Sequence, residues 1–173
     1  NLINSFAEKN ETSAFMLFTV ALSAYMNRTK MNAEKFYIGT AVLNRSGNKE
    51  QNTVGMFINT VPMLIELDNE KSFSENLSSV EETALSVFRH ERYNYGDVLT
   101  NLRKEFNFGE KLYDTMISYQ NAKVGGADVE TTWYHGGEQS ESLQIHIDDR
   151  DSEGIFRVHY DYLTEKFTGD EIE

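Results

Sequence analysis

The chain of 173 residues contains no cysteine, one proline and one tryptophan, and its 16 lysines and arginines are outnumbered by 28 aspartates and glutamates. Without cysteine there is no disulfide framework and no thiolate zinc site, a composition compatible with a reducing cytoplasm. At a formal charge of -12 the chain repels a polyanion, since nucleic-acid affinity rests on Lys and Arg neutralising phosphates; DNA and RNA drop out as partners. The most apolar stretch, Ala14 to Met26, is too short to cross a bilayer at helical rise and is interrupted by Thr19 and Ser23, so a buried helix is expected there and no membrane partner. No basic region, apolar core and small-residue cleavage site open the chain, and its first residue is Asn1 rather than Met, which reads as a segment of a longer protein. Neither glycine-rich phosphate loop is present, so nucleotide binding has no support.

Glu11 to Arg28 is apolar nearly all round, with Phe15, Phe18, Leu22, Tyr25 and Met26 at helical spacing and Ala14, Ala21 and Ala24 as small packing positions, as in a central helix. Phe36 to Leu43 lacks clean alternation, the pattern of a strand covered on both faces. After a polar turn over Gly47 to Thr53, Val54 to Leu67 reads as a second strand; Pro62 cannot donate a ladder bond, so an edge, a bulge or a break is expected. Ser72 and Glu75 form a capping box ahead of a helix with Phe73, Leu77, Val80, Ala84, Val87 and Phe88 on one stripe. A shorter helix is expected from Asp97 as its N-cap, and strands over Leu112 to Gln120, Thr131 to Tyr134, Ser142 to Asp148 and Ile155 to Leu163. The last two read as a hairpin with Leu143, Ile145 and Ile147 on one face and Gln144, His146 and Asp148 on a polar one. Thr168 and Glu171 form a second capping box. The expected fold class is α/β, a mixed β-sheet covered by helices.

In catalytic groups the chain is poor. His90 adjoins Glu91 and His135 sits in a glycine-flanked loop, and neither belongs to a triad pattern. If the hairpin places His146 opposite His159, their neighbours Asp148 and Asp161 share the strand face with them. No ligand spacing there is diagnostic, and a polar sheet face with Arg157 pairing Asp148 is the reading adopted, with no metal.

Three runs in order carry a more specific signal: Ile38-Gly-Thr-Ala-Val-Leu-Asn-Arg45, Val54-Gly-Met-Phe-Ile-Asn-Thr-Val-Pro62 and His90-Glu-Arg-Tyr-Asn-Tyr95. They resemble the motifs I-G-T-P-V-A-N-R, V-G-x-F-V-N-T and H-Q-x-Y-P-F-E in the C-terminal half of nonribosomal peptide synthetase condensation domains. Leu112-Tyr-Asp-Thr-Met-Ile-Ser-Tyr-Gln-Asn121 is similar to the family's L-F-x-x-M-F-x-x-Q-N strand, and Phe167-Thr-Gly-Asp-Glu-Ile172 to the start of its closing helix. Asn94, Tyr95 and Gly96 depart from the usual Pro, Phe and Glu, and Glu105 to Leu112 replaces the family's R-D-x-S-R-N-P-L.

The resemblance implies a chloramphenicol acetyltransferase-like lobe spanning residues 1–173, the C-terminal subdomain of a two-lobed enzyme that forms amide bonds between carrier-tethered thioester donors and amine acceptors. The H-H-x-x-x-D-G motif with the catalytic histidine belongs to the N-terminal lobe and is absent from these residues, so no catalytic residue is expected here. Arg45 matches the arginine expected to pair with that motif's aspartate; Asn59 falls in the loop bridging the lobes, and Asn121 faces the reaction centre. Gly55, Phe57, Thr60, His90 and Tyr93 are the other motif positions expected at the lobe junction. Implied partners are the N-terminal lobe, donor and acceptor peptidyl carrier proteins and an adjacent adenylation domain. No cofactor is bound directly; the phosphopantetheine arms belong to the carriers. The runner-up within the superfamily is an epimerisation domain, which removes and returns an α-proton; Phe57-Ile-Asn-Thr60 resembles the condensation form, where epimerisation domains tend to place Trp-Phe-Thr. A noncatalytic carrier-docking module is the alternative from another class.

Overall fold

The computed structural model describes residues 2–31, 35–120, 132–150 and 155–172. Asn121, one of the expected site residues, lies outside them, as does Thr131 at the start of an expected strand.

Helix α1 (Leu2–Lys9) leads into α2 (Ala14–Met26), whose N-cap Ser13 accepts a hydrogen bond from the Met16 amide and so satisfies one orphan donor of the first turn. The helix ends in a π-helical turn, Asn27–Met31. Strand β1 (Lys35–Val42) follows, and the polar turn expected after it contains a single helical turn, α3 (Asn48–Gln51). Strand β2 (Asn59–Glu66) begins five residues later than the apolar run does, because β1 ends at Val42, the partner of Asn59, and no ladder exists for Val54 to Ile58.

Helix α4 (Phe73–Phe88) has the expected reciprocal capping box between Ser72 and Glu75. Helix α5 (Tyr95–Phe106) is capped by Asn94, whose side chain accepts from the Gly96 amide; Asp97 is in the first turn, where it favours the helix dipole instead of capping it. Strand β3 (Thr115–Gln120) starts later than Leu112, and Thr132 to Tyr134 form no strand. Strands β4 (Leu143–Asp148) and β5 (Arg157–Tyr162) precede the terminal turn α6 (Gly169–Ile172).

The five strands form one mixed sheet in the order β2-β1-β3-β4-β5. Pro62 therefore lies on an edge strand, where a missing N–H leaves no interior ladder bond unmade. The outer pairs β1–β2 and β4–β5 are antiparallel, and β1–β3 and β3–β4 are parallel. Ile38, Met63, Ile65, Ile117, Ile145 and Ile147 form the core with Met16 and Val20 of α2 and Leu77, Val80 and Ala84 of α4.

The other side of the sheet is covered too. Gly39 lies under the Tyr113 ring, close enough that a Cβ would stand 2.3 Å from a ring carbon, and Tyr95 of α5 packs on Tyr113 with centroids 5.0 Å apart and the rings tilted by 33°. His146 and Asp148, expected on a polar, partly solvated face, are 7% and 5% exposed. The hairpin register does pair His146 with His159 and Asp148 with Arg157, but the segment before β4 roofs this face and keeps water from it.

Candidate functional site

The three motif runs meet at one end of the β1–β2 pair. Past the end of β1, Arg45 turns back into the loop that carries α3. One guanidinium nitrogen donates to the Glu50 and Thr53 carbonyls, the latter at 2.8 Å, and the other to the Gly55 carbonyl at 2.6 Å. The guanidinium carbon also stands 4.1 Å from the centroid of the Phe57 ring, a cation–π contact. Arg45 thus holds together the loop between the first two motifs, with the planar, multi-donor geometry that lysine lacks. Gly55, at φ +153, has a backbone conformation that other residues rarely adopt.

The second motif is joined to the third by Asn59. Its amide donates to the Glu91 and Tyr93 carbonyls, both at 2.8 Å, and so closes the turn that follows α4. The next residue, Thr60, is paired with Ala41 and bonds the Tyr113 hydroxyl. Burial is the largest influence on that phenol and pushes it up to about 12, so Tyr113 is a neutral packing group.

His90 is at the exposed end of α4 with its Nδ1 2.9 Å from the Ser86 carbonyl, and Tyr93 is 61% exposed. Of the expected positions, Arg45, Gly55, Phe57, Asn59, Thr60, His90 and Tyr93 occupy one neighbourhood, and Asn121 lies outside the described residues.

Sequence reasoning passed over a second arginine. The Arg92 guanidinium bonds both Glu50 carboxylate oxygens at 2.9 Å and also the Ser46 hydroxyl, while the Ser46 amide donates to Glu50 at 2.9 Å. These bonds hold the Glu50 carboxyl below its ordinary value, the Ser46 amide being the largest cause and the Arg92 contact next. With Arg92 and Glu50 42 positions apart, no spacing rule could have paired them. The one available signal was charge complementarity between two loops already singled out.

Around this hub stand apolar side chains with little cover: Val54 and Met56 are 102% and 90% exposed, and Leu43 and Ile58 are exposed beside them. Clustered exposure of this kind marks a surface that another body covers. Among the described residues no group of three or more His, Asp or Glu could hold a metal, and no helix is long and apolar enough to cross a membrane. Among those same residues the hub offers ordered arginines, amides and an apolar rim, and no nucleophile with a base.

Comparison with known proteins agrees with that geometry. The chain is 30% identical over 173 residues to surfactin synthase subunit 1 of Bacillus subtilis (strain 168), an alignment covering 98% of this chain and 5% of that one. It is 31% identical over 125 residues to bacitracin synthase 3 of Bacillus licheniformis, with 72% of this chain and 2% of that one covered, so the chain spans a small part of the curated relatives it matches. Among solved structures, the first condensation domain of the CDA synthetase superposes at a TM-score of 0.77 with 17% identity, over 98% of this chain and 38% of that one. A four-domain nonribosomal peptide synthetase bound to AMP and glycine superposes at 0.80 with 15% identity, over 94% and 14%. These structural likenesses speak for the fold alone. The family model for the condensation domain matches residues 1–173, from the first residue to the last, and on that match the chain belongs to the condensation domain family.

Proposed function

We propose that the chain is the C-terminal lobe of a nonribosomal peptide synthetase condensation domain, with the chloramphenicol acetyltransferase-like architecture of that superfamily. In this reading it forms one wall of a tunnel in which a carrier-tethered amine attacks a carrier-tethered thioester and an amide results. The catalytic imidazole of the H-H-x-x-x-D-G motif is contributed by an N-terminal lobe, so these residues alone form no amide. The observation that supports it best is the convergence of three motif loops on Arg45, Asn59 and Arg92 beneath the exposed side chains of Val54 and Met56. Such a surface suits a facing lobe.

Arg45 then acts in two directions. The bonds to the Glu50, Thr53 and Gly55 carbonyls use three of its five N–H groups and shape the loop, and the others serve the aspartate of the facing motif. A charge pair closed between lobes holds the shape of the catalytic loop and touches no substrate. Asn59 keeps the bridging loop in register with the His90 turn, and Asn121 borders the reaction centre. Phosphopantetheine arms of donor and acceptor carrier proteins enter from the two ends, with an adenylation domain adjacent and the whole assembly in the cytoplasm.

The test is reconstitution. The chain, the N-terminal lobe of its own domain, and the two together are supplied with a donor aminoacyl-carrier thioester and an aminoacyl acceptor carrier. Amide product is expected from the pair only. Amide from this chain alone overturns the division of labour; binding of carriers with no product from the pair points to a docking module. Exchange of the donor α-proton for deuterium without condensation points to epimerisation.

A further inference from the structure

His146 is a buried ionisable group on β4, outside the motif runs that form the hub. It is 7% exposed on β4, and its Nδ1 is 2.7 Å from the Ser118 hydroxyl on β3. Its Nε2 is shielded from solvent and makes no hydrogen bond among the described residues, with an Asp161 carboxylate oxygen on β5 3.4 Å away. Above it lies Trp133, whose ring centroid is 4.3 Å from that of His146 and 5.5 Å from that of His159. The indole N–H donates to the same Asp161 oxygen at 3.2 Å. The segment 132–141 that carries Trp133 is further fastened by Gln139, which donates to the Asp161 carbonyl at 3.3 Å, and by Lys111, which donates to the Ser140 carbonyl at 2.7 Å.

Serine, imidazole and carboxylate in a row suggest a hydrolytic triad, but Ser118 is 6% exposed and the indole occupies the space over the imidazole, so no acyl group can reach the hydroxyl. The arrangement suits a neutral imidazole. With the proton on Nε2, that N–H points at the Asp161 carboxylate and Nδ1 accepts from Ser118; with the proton on Nδ1, a bare lone pair faces the carboxylate.

We propose that His146 is a proton-operated catch: neutral, it seats Trp133 against β4 and β5; protonated, it releases the 132–141 segment and uncovers the sheet face beneath. An imidazolium there has no access to bulk water, and the carboxylate it faces already accepts the indole N–H. The surrounding charges are mixed. His159 and Asp161 on β5, Asp148 on β4 held by Arg150, Arg157 opposite Asp148, and His135 on the segment itself all bear on the site. His159 and His135 oppose the new cation; Asp161 attracts it. Burial, the largest influence, outweighs that attraction and holds the His146 pKa below the ordinary imidazole value of 6.5.

The sign follows. In the open state His146 is an ordinary imidazole and takes up its proton first, so the closed state dominates at neutral pH and loses ground as pH falls below 6.5. While the seated imidazole stays neutral, the closed-to-open ratio falls about tenfold per pH unit, the slope of a single proton.

Trp133 is the only tryptophan in the chain, so its emission reports this site alone. Iodide quenching, emission wavelength and far-ultraviolet circular dichroism are followed in the full chain from about pH 7.5 to about pH 5, the range in which histidine titrates. On acidification a red shift and a several-fold rise in quenching are expected, reversible and with unchanged secondary structure. His146→Gln, whose amide accepts from Ser118 and donates to Asp161 without titrating, is expected to remain closed throughout; His159→Gln and His135→Gln keep the transition. A transition that persists in His146→Gln overturns the proposal, as does loss of secondary structure at the same midpoint. Should His146→Gln not fold, nuclear magnetic resonance of the wild type decides: the His146 ring and the Trp133 indole N–H must move at one midpoint, and separate midpoints overturn the catch.

Discussion

Single side chains in this molecule are set by what they touch across long stretches of chain, and three of them yield direct tests. Gly39 has Tyr113 where a Cβ would be, with 2.3 Å between them, so Gly39→Ala pushes an aromatic ring out of a packed site. Overpacking costs about 1–3 kcal/mol, and a lower midpoint in urea denaturation is the expected result. Asn59→Ala removes two donors from the Glu91 and Tyr93 carbonyls, at about 0.5–1.5 kcal/mol for each bond. Asn59→Asp is expected to be worse than Ala, because it turns an acceptor towards two carbonyls. Arg45→Ala leaves three loop carbonyls without their donor and is expected to lower the melting temperature by several degrees, at about 2–4 °C per kcal/mol for a domain of this size. A full domain carrying Arg45→Ala that melts normally yet has lost turnover would mean that the arginine serves the reaction and not the loop.

At the level of elements, local rules worked where the pattern is local. The capping box of α4 and its apolar stripe are both present, with Leu77, Val80 and Ala84 buried. Ser72→Ala is expected to cost about 1 kcal/mol and to speed amide hydrogen exchange in the first turn of α4 more than in the last. Helix α1 went unread because its eight residues are too few for an apolar stripe to stand out, and its stability comes from tertiary packing, with Ala7 buried and the Phe6 ring edge-on to Phe73 of α4. The apolar run from Val54 to Ile58 looked like strand, yet strand identity depends on a partner, and β1 has no residues left to pair with it. In the same way the alternation of β4 correctly foretold which residues share a face and wrongly foretold that the polar face is partly solvated, since alternation says which residues share a side and not what covers that side.

For the whole molecule, acidity is the most accessible variable. Burial would raise the Asp114 carboxyl, but hydrogen bonds from Lys111, Ser142 and Lys166 outweigh it and hold the group well below the usual carboxylate range. The Arg150 side chain does the same for Asp148 against its burial. Both carboxyls bind protons less readily folded than unfolded, so their stabilisation is present above the ordinary carboxylate pKa of 3.8 and is lost as pH falls below it. Thermal midpoints are therefore expected to drop steeply on the acid side of about pH 4, less steeply in Asp114→Asn and less again in high salt, because Asp114 is 43% exposed and solvent screens its pairs. The sequence by itself determined the helical identity of α2 and α4, the two alternating faces of β4 and β5, the absence of thiolate chemistry, and the three motifs that mark the family; each rests on periodicity, composition or short-range order along the chain. The tertiary structure alone decided that Arg92 locks Glu50, that Asn59 ties two motifs together, and that Trp133 seals His146 under a dry roof. Those contacts join residues about 13 to 42 positions apart, and they exist only because the strand order β2-β1-β3-β4-β5 folds distant segments onto one another, a fact no local pattern encodes.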